Sequence, residues 1–481
     1  MKVQYSINGI FHYCQSIRCA IGSFSKLSEW LRIISISCLF IFGVTLYGNP
    51  TYKVNFLLDN GNSSASFSEA RQTVEKVHNY SQKPWWKANP DVVREHEERR
   101  PQFLGREILW QESDVPDYEL PDPLLRSDGT TIGCVEHWQQ HRAEILEIFR
   151  EDMYGRHPGP PEKLTFELIE EDISAMEGAA TFRRVEIRST NGGRTHRFEL
   201  ILFLPNEIKE SVPVFLLMNN RNPNNTDPTR QEKSGFWPAE EVIQRGYGIS
   251  AIQNSELAPD NDKKFYEGVI RLFEGDDAAG ERLPNAWGAI AAWGWGASRV
   301  MDYFETNDRV DCSKVAVLGH SRGGKASLWV GAEDERFALV ISNNSGCGGA
   351  ALSKRRYGET VQAVNQFTHW FAHNFERFND QEDKLHFDQH MLVSLIAPRA
   401  VYIASADTDL WADPRGEFLS LAHSSPVYRL WNYPSIDPED MPLLDGNLLS
   451  GPRGYHIRSG RHNLTTEDWH YFMDFADRLW R

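Results

Sequence analysis

The chain has 481 residues and a mass of 55.2 kDa, long enough for one large domain or two ordinary ones. With 41% hydrophobic and 25% charged residues its composition is globular, which excludes wholesale disorder. A formal charge of −16, from 51 Lys+Arg against 67 Asp+Glu, excludes the basic surface expected of a nucleic-acid binder.

From the N-terminus, Arg32 precedes an apolar run, Ile33–Gly48, whose 16 residues fall short of the ~20 of a membrane span. They match the core of a signal peptide, and the small residues near Gly48 suit a signal peptidase. Residues 1–48 are therefore expected to be a signal peptide, with an uncleaved anchor as the alternative, and the mature protein is expected to be exported, to the periplasm or beyond the cell. Residues 49–105 are polar and read as a linker or N-terminal wrap, with Glu95–Arg100 as a solvated charged face. The six cysteines, at 14, 19, 38, 134, 312 and 347, include no Cys-x-x-Cys and suggest neither a zinc ribbon nor a disulfide framework. The 15 Trp suit either a bulky core or flat apolar ligands such as sugar rings.

Residues 106–481 carry the regular patterns. Helical periodicity spans His137–Tyr154, followed by strands at Thr181–Ile187, which alternates, and Phe198–Leu204. Continuous apolar runs then predict strands buried on both faces at Val212–Met218, Tyr247–Ile252, Val315–Leu318, Ala338–Ser342 and Ala400–Ala404, with a shorter one at Val427–Trp431. Helical patterns at Pro238–Gln244, Trp287–Phe304, Lys325–Gly331 and Glu417–His423 separate them. The alternation predicts one α/β domain, a mostly parallel central sheet in a three-layer sandwich. Loop insertions are expected at 219–237, 253–285, 345–390 and 432–461.

Gly319-His320-Ser321-Arg322-Gly323 is a G-x-S-x-G motif with a strand before it and a helix after it. That setting is a nucleophile elbow, a tight turn that lifts the serine oxygen above the sheet edge. A serine nucleophile needs a base and an orienting acid, which follow it here in the order acid, then His. Asp409, just past the Ala400–Ala404 strand, is better placed than Asp407. His462 lies in the loop before the last helical stretch. His470 falls inside that helix and His456 lies further from it.

Several motifs in order resemble the glucuronoyl esterases, carbohydrate esterase family 15. They are Gly319–Lys325, Ser342–Gly349, Arg356–Thr360, His369-Trp370-Phe371, Asp388-Gln389-His390, Asp409–Gly416, Tyr455–Arg458 and His462. The resemblance implies the α/β-hydrolase fold and cleavage of the ester between 4-O-methyl-glucuronic acid of glucuronoxylan and a lignin alcohol, with no cofactor. It implies that Arg322 binds the oxyanion, through its backbone N–H and its guanidinium. It also implies that Lys325 and Glu359 bond sugar hydroxyls and that Trp411 packs on the uronate. Fungal members carry the triad acid as a Glu at the position of Asn344, so the acid is sought at Asp409, as in some bacterial members. No obligate protein partner is implied, and a monomer is expected.

Three rivals stand beside this expectation. His369 and His373, at i and i+4 with Asp388 and His390 nearby, could hold a metal, although no Glu lies between them as in H-E-x-x-H. The chain could be another carbohydrate serine esterase, acting on acetyl-xylan or a uronate methyl ester. It could also be a saccharide-binding protein without catalysis.

Overall fold

The computed structural model describes residues 85–481, so the apolar run at 33–48 lies outside the described residues. Among the described residues no helix is long and apolar enough to cross a membrane. The chain enters with helix α1 (Pro90–Arg99), started by Pro90 in its first turn and by the Asn89 side chain accepting from Asp91 N. The charged run is solvated as expected, yet Trp86 and Val93 are buried, and residues 85–105 belong to the same compact unit as the rest. Helix α2 (Val135–Asp152) follows.

Ten strands form one sheet: β1 (Lys163–Asp172), β2 (Ala180–Asn191), β3 (Arg194–Pro205), β4 (Val212–Asn219), β5 (Gly248–Gln253), β6 (Val310–His320), β7 (Leu339–Asn343), β8 (Ala400–Ala406), β9 (Gly446–Ser450) and β10 (Arg453–Arg458). Their spatial order is β9-β10-β8-β7-β6-β4-β5-β3-β2-β1. Pairings from β5 through β4, β6, β7 and β8 to β10 are parallel; β1–β2–β3, β3–β5 and β9–β10 are antiparallel. Side-chain alternation explains the layers. Val214, Leu216, Met218, Val315 and Val317 face the cluster holding α2, α4 (Ala289–Phe304), α5 (Arg322–Glu333), α6 (Gln389–Ser394) and α7 (Pro414–His423). Phe215, Leu217, Ala316 and Leu318 face the opposite cluster, with α3 (Ala239–Gln244) and α8 (Thr466–Trp480).

Two sequence expectations fail here. Val427–Trp431 is not a strand: Ser425–Tyr428 is helical and Arg429–Trp431 is a 3-10 turn. A short apolar run cannot be told from a buried helical turn by pattern alone, and Pro426 in the first turn favours the helix. The strands closing that end are β9 and β10, inside the stretch read as loop 432–461. Strand β10 is hidden because buried Arg453, His456 and Arg458 interrupt its apolar pattern, each held by internal hydrogen bonds: Arg458 Nε donates to Asp468 Oδ2 at 2.8 Å and Arg453 Nη1 to Ser425 Oγ at 2.7 Å.

Candidate active site

Ser321 sits between β6 and α5 with φ 58° and ψ −129°, a conformation rare for a residue with a side chain and costing roughly 1–3 kcal/mol. The turn closes so tightly that a Cβ on Gly319 would lie 2.0 Å from the Gly323 carbonyl oxygen, which makes glycine obligatory there.

His462 and Asp409 meet from two different loops. His462 Nδ1 donates to Asp409 Oδ2 at 2.6 Å. That bond keeps the proton on Nδ1 and leaves Nε2 as an acceptor. The His462 loop is held from both ends. Gly460 N donates to Asp407 Oδ1 at 2.7 Å, Thr408 Oγ1 donates to Gly460 O at 2.6 Å, and Thr465 forms a capping box with Asp468 at the start of α8. Asp407 is thus a loop brace. His456 is fully buried, with Nε2 2.9 Å from Asp468 Oδ1, and His470 is exposed beside Glu241. Asn344, the position to which the resemblance assigned the fungal acid, donates from Nδ2 to the same Asp409 oxygen at 2.9 Å.

Arg322 opens α5. Its Nε faces an Asp260 oxygen as a close ion pair, and its Nη2 donates to the Asn220 carbonyl at 3.1 Å. Asp260 also accepts from His369 Nε2 and Trp370 Nε1, both at 2.8 Å. Burial works to raise the Asp260 carboxyl, but His369, Arg322 and Trp370 outweigh it and hold the group below its ordinary range. His369 and His373 therefore do not share a helix face: His369 lies in a turn against Asp260, while His373 is exposed and pairs with Glu376. Asp388 caps α6, and His390 Nε2 contacts the Pro121 carbonyl at 2.8 Å. Among the described residues no three His, Cys, Asp or Glu side chains converge as a metal site.

Lys325, one turn after Ser321, is buried, and its ammonium donates to the carbonyls of Ser345 (2.7 Å) and Cys347 and to Glu359 Oε2 (2.9 Å). Its three protons are taken up by the protein. Glu359 Oε1 in turn accepts from Trp411 Nε1 at 3.1 Å. Gly358 brings these two side chains together: at φ 60°, a Cβ there would meet the Leu410 carbonyl oxygen at 2.5 Å. Trp411 packs edge-on to Phe103 and lies under the Arg100 guanidinium, 4.5 Å from the ring centroid.

Sequence reasoning missed Arg221 and Glu417. Arg221 follows β4, the place from which this fold supplies oxyanion-loop groups, and that position was the available signal. Its Nη2 donates to His320 Nε2 at 2.8 Å, and His320 Nδ1 donates to Asn343 Oδ1 at 2.6 Å. Burial, with the nearby His462 and Arg221, drives His320 well below the ordinary imidazole range, so it stays neutral under the elbow.

Glu417 is fully buried and accepts from Ser345 N at 2.6 Å, Gly346 N at 3.0 Å and Ser405 Oγ at 2.6 Å, holding the loop that in turn holds Lys325. Burial pushes its carboxyl up to about 8. The folded pKa exceeds the unfolded value of about 4.3, so the folded state binds the proton more tightly. That contribution to stability is full below the unfolded value and is lost as pH rises towards and through about 8. Glu417→Gln keeps the shape without the charge. In thermal melts from about pH 5 to 9 the variant should therefore gain several degrees on the wild type. Parallel melting curves would show that the carboxyl is ionised throughout.

The sheet order, the strained serine between β6 and α5, and the carboxylate–imidazole pair beyond β8 and β10 define an α/β-hydrolase. A family model described as glucuronyl esterase, fungi, matches residues 185–431. A carbohydrate esterase designated MZ0003, from an unknown prokaryotic organism, is 39% identical over 422 residues, 82% of this chain and 94% of that protein. The 4-O-methyl-glucuronoyl methylesterase of Phanerochaete carnosa is 30% identical over 336 residues, 66% of this chain and 73% of that protein. Among solved structures, a glucuronoyl esterase from Solibacter usitatus superposes with a TM-score of 0.72 at 36% identity, covering 77% of this chain and all of that one (100%). A promiscuous esterase of carbohydrate esterase family 15 from a marine bacterial metagenome gives 0.70 at 39%, covering 77% and 99%. The chain belongs to the glucuronoyl esterase family, carbohydrate esterase family 15, and is a carboxylic ester hydrolase with the α/β-hydrolase fold.

Proposed function

We propose that this enzyme hydrolyses glucuronoyl esters, those joining 4-O-methyl-glucuronic acid of glucuronoxylan to lignin alcohols, by acyl transfer through Ser321. The bond from His462 Nδ1 to Asp409 carries the proposal, because it frees Nε2 to take the serine proton. Ser321 attacks the C6 carbonyl, and negative charge develops on its oxygen beside the Arg322 backbone N–H and guanidinium. The tetrahedral intermediate collapses, and the alcohol leaves with the proton returned by His462. Water, deprotonated by the same imidazole, then releases glucuronate and regenerates the serine. Glu359 accepts from a sugar hydroxyl through its remaining lone pairs, and Trp411 offers its ring to the uronate. Lys325, saturated by protein acceptors, acts on the sugar by holding Glu359 in place. The chemistry needs neither metal nor organic cofactor, and the enzyme acts after export, a reading supported by the apolar run after Arg32.

A substrate panel tests this: benzyl and methyl glucuronate, methyl galacturonate and an acetyl ester, compared by kcat/KM. The expected result is a preference of at least about tenfold for the glucuronate esters, a discrimination that a site built to bond specific hydroxyls readily supplies. Equal or better turnover of the acetyl ester would overturn the substrate assignment and favour an acetyl-xylan esterase.

A further inference from the structure

We propose that Asp260 is a positioning residue for the reaction, fixing the Arg322 guanidinium so that one nitrogen is presented to the developing oxyanion. The proposal rests on the oxyanion role given to Arg322 above. An arginine side chain is long and rich in rotamers, so a guanidinium that must meet a charge within tenths of an ångström needs an anchor. Two anchors are present. The Asp260 carboxylate holds the Nε edge as a close ion pair and the Asn220 carbonyl accepts from Nη2, which leaves Nη1 without a hydrogen-bond partner among the described residues.

Asp260 is itself fixed. Its Oδ1 receives both His369 Nε2 and Trp370 Nε1 at 2.8 Å, so Oδ2 is aimed at Arg322. His369 and Trp370 are buried, and their backbone carbonyls accept from Ala289 N (2.7 Å) and Ile290 N (3.2 Å), which ties the anchor to the start of α4. Phe367 stacks on Trp370 at 3.9 Å between centroids. The loop that carries Asp260 is pinned where Trp293 Nε1 donates to the Ala258 carbonyl at 2.9 Å. The chain Ala289–His369–Asp260–Arg322 thus runs from a core helix to the elbow. It gives the His369-Trp370 pair a task unrelated to a metal.

A double-mutant cycle on benzyl glucuronate tests this. Asp260→Asn preserves shape and both acceptor contacts to His369 and Trp370 at one oxygen but removes the charge facing Nε. It should lower kcat about tenfold with KM within twofold, and in the Arg322→Ala background it should cost less than twofold. Asp260→Glu, which restores the charge, should recover part of the loss; it also keeps the test open if the Asn variant is unstable. An equal loss in both backgrounds would overturn the proposal and make Asp260 a structural residue. An unchanged kcat in Asp260→Asn would overturn it too. Either outcome leaves ester hydrolysis intact, whereas failure of the substrate assignment appears in the wild-type panel.

Discussion

Asp409→Asn should lower kcat by about 10³–10⁴ with folding intact and KM within about threefold, measured on benzyl glucuronate. The carboxylate is almost completely buried, and one oxygen, Oδ2, receives both His462 Nδ1 and Asn344 Nδ2. An amide at 409 has two poor choices. With its oxygen towards His462 it accepts both protons but cannot neutralise the imidazolium that forms as Ser321 reacts. With its nitrogen there it faces two donors, and His462 must move its proton to Nε2, the wrong tautomer for a base. Asp407→Asn is the control. Among the described residues its Oδ1 accepts the Gly460 N–H, which an amide oxygen can do equally, so the loss should stay within a few-fold. Asn344 contacts the acid directly, so Asn344→Glu in the Asp409→Asn background should recover about tenfold by bringing a carboxylate to the same imidazole. Asn344 has φ 47°, a left-handed conformation that Asn tolerates and Glu pays roughly 1–2 kcal/mol to adopt, which caps that recovery. Near-wild-type kcat in Asp409→Asn, with a large loss in Asp407→Asn, would move the acid by two residues.

The elbow and the Asp409–His462 contact were legible in the sequence because each residue sits at a punctuation mark of the fold. Ser321 ends an apolar strand, Asp409 follows the next long one, and His462 precedes a capped helix. These positions depend on local pattern, and the structure brings Asp409 and His462 into contact as the spacing implied. What was hidden depends on groups meeting from distant parts of the chain. Asp260 and Arg322 are 62 positions apart, and nothing in the loop 253–285 marks an aspartate as the partner of an elbow arginine. Arg221 and His320 meet for the same reason. Lys325 was legible as a residue on the serine's side of the helix, but not as a saturated one, because two of its three acceptors are backbone carbonyls that no side-chain motif announces. Strand β10 was hidden by charge: a buried arginine paired with a buried aspartate looks, in one dimension, like a solvated loop.

Arg322→Ala should lower kcat by about 10²–10³ while KM changes by less than about threefold. The backbone N–H of residue 322 survives the substitution, so the loss isolates the guanidinium. Folding should survive as well. Asp260 keeps its bonds from His369 and Trp370, and the partly exposed site lets water reach the carboxylate oxygen that loses its partner. Removing Arg322 also relieves a like-charge contact, since Arg221, already lowered chiefly by burial, is lowered further by the Arg322 charge. A second measurement separates charge at the transition state from charge on bound ligand. The substrate ester is neutral at C6 and the product is a carboxylate, so a fixed cation at this place stabilises both the oxyanion and the released glucuronate. The variant should therefore show weaker inhibition by glucuronate together with its fall in kcat, with melting temperature little changed. A rise in KM with unchanged kcat would instead make Arg322 a residue that binds the substrate uniformly in ground and transition states. In that case the oxyanion would rest on backbone N–H groups alone, and Asp260 would have nothing catalytic to position.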